Sequence, residues 1–175
     1  LLTVLVFLTG CSLGGSSETA EKVTRQSFKS FAIDIPDSFR KVNREDFANT
    51  IPEETAALFV QRSPVGDFIQ NLNVVKESLN TNASSLEYAK ANILLGTKTI
   101  AEYRLLSQEE LIINGIKTAL HIFQARNTPS EPFRQYYQTY FAQDRVGYTA
   151  TCIAKDDDAI GQQNCEAMLR SFRLL

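Results

Sequence analysis

Residues 133–172 read FRQYYQTYFAQDRVGYTATCIAKDDDAIGQQNCEAMLRSF. Two strand-like runs, 133–143 and 146–155, flank Asp144-Arg145, the spacing of a tight hairpin. On the first run Phe133, Tyr137 and Phe141 fall on one face and Tyr136 and Tyr140 on the other, because side chains alternate along a strand. Both faces are apolar, which predicts a sheet covered on both sides. On the second run Tyr148, Ala150, Cys152 and Ala154 share a face. That strip of small residues leaves room for a helix. Residues 156–172 supply one: Cys165, Met168, Leu169 and Phe172 recur at i, i+3, i+4 and i+7, the period of an amphipathic helix. Aspartates 156–158 sit at its dipole-positive start.

Working outward, residues 111–123 read LIINGIKTALHIF. Asn114-Gly115 is the strongest hairpin signal in the chain, since both central residues of a type I′ turn need positive φ. It joins a strand over 102–113 to a return strand over 116–126. Upstream, Asn82 to Ser85 offer capping residues, and Leu86, Ala89 and Ile93 give helical spacing over 86–95, with Gly96 as the stop. Strands are expected at 31–36, 39–42, 57–61 and 68–78. Residues 44–50 and 52–57 are mixed and suggest a helical turn or two. Strands grouped in this way, not alternating with helices, argue an α+β fold: an antiparallel sheet flanked by helices, an α/β/α sandwich.

Several short motifs then resemble the PsbP-like family. They are Phe-x-Ile-x-Ile-Pro-x-x-Phe at 31–39, Asn-x-Asn-Val-Val at 71–75, Tyr-x-x-x-Cys at 148–152 and Leu-x-Ser-Phe at 169–172. The resemblance spans roughly residues 28–175, and the aromatic that is often Trp in that family is Phe39 here. It implies an antiparallel sheet between helices, with a non-enzymatic binding or assembly role. Photosystem and nuclear-transport roles are not carried over, because fold does not fix function.

The N-terminal stretch carries an address. Residues 1–10, LLTVLVFLTG, hold no charge and are too short to span a bilayer, which takes about 20 residues. They suit the apolar core of an export signal whose start is missing, since neither Met nor a basic segment precedes them. Leu8-Thr9-Gly10-Cys11 resembles the bacterial lipobox. The resemblance implies diacylglyceryl transfer to the Cys11 thiol, cleavage after Gly10 and acylation of the new N-terminus. Palmitate-class chains on Cys11 would then hold the protein on a membrane, each buried CH2 adding about 0.8 kcal/mol. Ser12 is not Asp, which implies the outer membrane in a host with two. Residues 11–24 are expected to form the lipidated cysteine and a Gly/Ser-rich tether, and 25–175 the folded domain.

The chain has three cysteines. With Cys11 assigned to lipid, Cys152 and Cys165 remain, one aimed at the helix and one at the sheet. They form either a disulfide or a pair of buried thiols. No C-x-x-C spacing suggests a redox pair.

Other chemistry finds little footing. A net charge of −2 with scattered Lys and Arg gives no basic footprint for nucleic acid. There is no G-x-S-x-G, P-loop, G-x-G-x-x-G or zinc spacing, so neither metal nor cofactor is expected. Asp156-Asp157-Asp158 reads as a helix cap before it reads as a cation site. Glu53-Glu54 and Glu109-Glu110 read as solvated faces. Tyr136 and Tyr140 are candidates for a ligand groove. His121 is the one histidine and the centre of the alternative reading, an envelope hydrolase or metal-dependent enzyme. The expected function is a membrane-anchored extracytoplasmic lipoprotein, not an enzyme, that binds an envelope protein partner or a small ligand. A purely structural envelope protein is the remaining alternative.

Overall fold

A computed structural model describes residues 21–43, 52–126 and 128–175. The signal segment, Cys11 and most of the tether lie outside the described residues, as does the mixed stretch 44–50. A seven-stranded antiparallel sheet dominates. In spatial order its strands are β3 (Phe39–Lys41), β4 (Thr55–Gln61), β5 (Asn71–Ser78), β9 (Val146–Lys155), β8 (Arg134–Gln143), β7 (Ile116–Ala125) and β6 (Arg104–Ile113). A smaller sheet sets β2 (Phe31–Pro36) between β1 (Val23–Ser27) and β10 (Arg173–Leu174). The helices are α1 (Ser85–Thr99) and α2 (Ala159–Ser171).

The architecture is α+β, with the large sheet as its central layer. On one face lie α2 and the small sheet. The small-residue strip of β9 admits α2, and Cys165, Met168, Leu169 and Phe172 are all buried against it. Phe31, Ile33 and Ile35 of β2 close the rest of that face over Phe59, Leu72 and Val74. β2 is therefore buried at nearly every position, not half-buried as its alternation suggests.

On the other face lies α1, which packs over β7 and β8. Tyr88 of α1 lies directly above Gly147 of β9, where an added Cβ would come within 2.6 Å of the ring. Ala89 and Ile93 complete the contact with Ala119 and Tyr140. Coverage on this face is partial. Val75, Thr149, Thr151 and Gln138, on β5, β9 and β8, are only half-buried. A helix thus covers each face of the sheet, as expected, but the one 15-residue helix on this face shields only part of it.

Other departures have local causes. β1 begins at Val23, inside the stretch expected as tether, and Arg25 pairs with Asp34 across β1 and β2 through two hydrogen bonds of 2.7 and 3.0 Å. Residues 55–57 are strand, not helical turn, held by register with β5. Helix α1 passes through Gly96 because that glycine does not take a left-handed backbone; the Ile100 N–H caps the helix on Gly96 O at 3.0 Å. Ser84 forms a capping box with Glu87 at the other end. The hairpins fall where expected, with positive φ at Asn114, Gly115, Asp144 and Arg145.

These two hairpins mark the distal end of the sheet. The chain enters at the opposite, proximal end, where Glu21 accepts from the Ser38 N–H and Arg62 donates to Asp37 O at 2.9 Å.

Cys152 and Cys165 form a disulfide, with Cα atoms 5.3 Å apart. It ties α2 to the central strand of the large sheet. Replacing both cysteines by alanine should lower stability by about 3 kcal/mol in the chain-entropy account of such a loop; urea unfolding of the variant beside the oxidised wild type measures it.

Candidate functional site

The open part of the α1 face borders a cleft of about 740 Å³. Cross-strand register builds its floor: Gln138 lies opposite Thr151, and Val75 opposite Thr149. Asn92 of α1 and Glu77 of β5 form the wall. Nearly every group in it is polar, in contrast with the sealed α2 face.

A chain of hydrogen bonds runs into this cleft from His121. The Tyr140 hydroxyl donates to Gln138 Oε1 at 2.7 Å. Its oxygen is then left to accept from His121 Nδ1 at 3.2 Å, and the Tyr103 hydroxyl donates to Nε2 at 2.7 Å. Gln138 Nε2 donates to Thr151 Oγ1 at 3.1 Å. In the neutral ring this arrangement sets the proton on Nδ1. Burial alone disfavours the charged form, and it depresses the His121 pKa to about 4. Burial likewise pushes Tyr140 far above its ordinary value.

A second network borders the first. The Tyr88 hydroxyl donates to Glu77, and Thr149 lies 2.9 Å from the same oxygen. Asn92, in the cleft wall, donates through Nδ2 to Tyr88 O at 3.0 Å. Asn73, beside Thr151 on the same face, has a buried carbonyl oxygen with no hydrogen-bond partner.

The structure places the singled-out residues as follows. Tyr140 is 1% exposed, edge-on to Tyr88 at 6.2 Å, and cannot touch a ligand. Tyr136 is half-buried and stacked on Phe123 at 5.0 Å. The polar cleft lies beside them, at Gln138. His121 is 1% exposed and flanked by Phe123 and Tyr103 rings; its hydrogen bonds go to tyrosines and none to a carboxylate. Asp158 caps α2 by accepting from the Gly161 N–H at 3.0 Å, while Asp157 faces Lys155 at 3.8 Å. Glu109 pairs with Arg170, and Glu110 with Lys90 and Lys117, all at the surface. Among the described residues no three His, Cys, Asp or Glu side chains gather as an ion site, and no helix is long and apolar enough to cross a membrane.

Sequence reasoning misses Gln70. It is 1% exposed and donates to Gly161 O at 2.6 Å, with its nitrogen 3.1 Å from Cys165 Sγ. It pins the start of α2 beside the disulfide. No local pattern marks such a residue, because its partners lie 91 and 95 positions away.

No family model matches this sequence, and no curated protein does. Solved structures share its fold. The cyanobacterial PsbP protein of Synechocystis sp. PCC 6803 superposes with a TM-score of 0.61 at 12% identity, over 96% of this chain and 99% of that one. The Ran-binding protein Mog1p of Saccharomyces cerevisiae gives 0.59 at 8% identity, over 89% and 96%. LpqN, involved in cell envelope biogenesis of Mycobacterium tuberculosis, gives 0.58 at 10% identity, over 89% and 91%. The fold is the PsbP-like sandwich.

The histidine network has a pH signature. A histidine whose folded pKa lies below its unfolded value near 6.5 stabilises the protein fully above that value, and the contribution fades as pH falls toward about 4. Between about pH 7 and pH 5 the wild type should lose about 2 kcal/mol that a His121→Gln variant does not lose. Urea unfolding at both pH values checks this. Carboxylates such as Asp34, held low by Arg25, titrate alike in both proteins.

Proposed function

We propose that this chain is a membrane-anchored extracytoplasmic lipoprotein acting as a non-enzymatic binding or assembly module of the cell envelope. The observation that carries the reading is the Cys152–Cys165 disulfide. Structural disulfides form and persist in oxidising compartments. With those two thiols joined, Cys11 is the remaining cysteine, and it stands in Leu-Thr-Gly-Cys after an uncharged apolar run. Lipid on Cys11 accounts for both the leftover thiol and the residues around it. In a host with two membranes, Ser12 directs the protein to the outer one.

The fold supports a binding role. LpqN, of the same architecture, is involved in cell envelope biogenesis, and Mog1p, also of that architecture, binds the protein Ran. The polar cleft beside α1 offers both hydrogen-bond donors and acceptors to a small ligand or a partner's side chains. The alternative of a hydrolase or metal-dependent enzyme at His121 requires the ring in a cleft beside carboxylates, whereas both its nitrogens are occupied by tyrosines.

Intact mass of the membrane-purified protein, with and without reductant and alkylation, tests the reading. The expected result is a lipid adduct on Cys11 and two thiols that alkylate only after reduction. An unmodified Cys11 in a protein from the soluble fraction would overturn the anchor and the localisation together.

A further inference from the structure

Exposed apolar side chains are unevenly distributed over the domain. At the proximal end stand Val23, Ile69, Leu105, Leu106 and Ile160. At the distal end, among the described residues, the large ones are Ile112 and Leu175, and Leu94 and Leu95 stand on the outer side of α1. The proximal set comes from separate elements whose register brings their ends to this side of the sheets. Glu21 and Arg62 bind the turn at 37–38, and Gln70 joins the start of α2. Between them, two phenylalanines lie under guanidinium groups. Arg104 and Arg126 sit 3.9 and 4.7 Å from the centre of the Phe133 ring, and Arg134 sits 4.5 Å from that of Phe68.

Such pairs have an apolar body and a charged tip, the character of side chains that settle at a membrane–water boundary. Of the acids at this end, Asp37 pairs with Lys22, Glu102 with Arg126 and Asp157 with Lys155, while Asp156 accepts from Gln124 and Asp67 lies beside the Phe133 corner. The chain also enters the fold here. Nine residues, 12–20, separate Cys11 from Glu21, where the described domain begins, a reach of at most ~35 Å when fully extended. The distal end lies a further strand length away, ~33 Å for ten residues.

The geometry points to the proximal end as a membrane-docking surface, on which Ile69, Ile160 and the Phe133 corner rest against the bilayer that carries the Cys11 lipid. This rests on the anchor reading. Docking leaves the distal hairpins pointing away from the membrane and sets the polar cleft on the side of the domain, open to partners in the aqueous space.

The chain contains no tryptophan, so one inserted Trp is a clean reporter. Ile69, Ile160 and Ile112 are exposed at 50, 65 and 72%, so each tolerates the change without disturbing the core. The lipidated full chain carrying Ile69→Trp, Ile160→Trp or Ile112→Trp is reconstituted into phosphatidylethanolamine–phosphatidylglycerol vesicles, with and without bromine on the acyl chains. Emission at 69 and 160 should shift to the blue and lose most of its intensity to bromine, while emission at 112 should not change. Equal response at both ends, or none at either, in protein that floats with the vesicles would overturn the docking surface and leave the anchor intact. Such a result is also expected if a protein partner covers this end instead. Failure to float would overturn the anchor and the docking surface with it.

Discussion

Four phenylalanine rings stacked in a column hold the domain together. Phe28 lies on Phe31 with centroids 4.5 Å apart, Phe31 on Phe172 at 5.2 Å, and Phe172 on Phe141 at 4.4 Å, all close to parallel. The four come from the approach to β2, from β2 itself, from the end of α2 and from β8. Each stacked pair adds about 0.5–1.5 kcal/mol beyond its buried area. More important is what the column joins. It runs from the small sheet through the end of the C-terminal helix to the large sheet, and Tyr148 of β9 closes on two of the same rings. The disulfide fixes α2 near its start, and the column fixes its end. Between these two points the stripe of α2 has no freedom to slide on the sheet.

The two faces of the large sheet consequently differ in kind. One is closed by aromatic and aliphatic packing and contains the polar group Gln70, which ties the start of α2. The other is shielded over β7 and β8 and wet over β5 and β9. The hydrogen-bonded chain from Tyr103 through His121 and Tyr140 to Gln138 and Thr151 lies along the boundary between dry and wet. It satisfies polar groups that α1 would otherwise bury without partners, and unpaired buried groups cost about 1–3 kcal/mol each. One face thus maintains the architecture, while the other presents polar groups to the solvent.

Much of this was legible in residues 111–172. The hairpins follow from Asn114-Gly115 and from the length of the β8 and β9 runs, and the α2 stripe follows from its period. The cysteines could be matched because a period-2 face met a period-3.6 face. What escaped was non-local. β10 is two residues long and pairs with Phe31 and Ala32, some 140 positions earlier, so no window of sequence reveals it. The extent of α1 coverage depends on where one helix comes to rest across seven strands. The surroundings of His121 depend on register between β7 and β8 and on Tyr103 arriving from outside either strand. Tyr136 and Tyr140 were identified as facing one way, but which of them the helix would bury could not be read from alternation.

Strand order carries one more consequence. β9, late in the chain, occupies the middle of the large sheet, between β5 and β8. Until residues 146–155 are present, β4 and β5 form a fragment with an open edge, and the sheet exists as two disconnected pieces. Long-range pairing of this kind is slow and exposes edges while it waits. A polypeptide delivered N-terminus first would therefore emerge almost completely before it could fold. Until then it would depend on whatever shields nascent strands from one another.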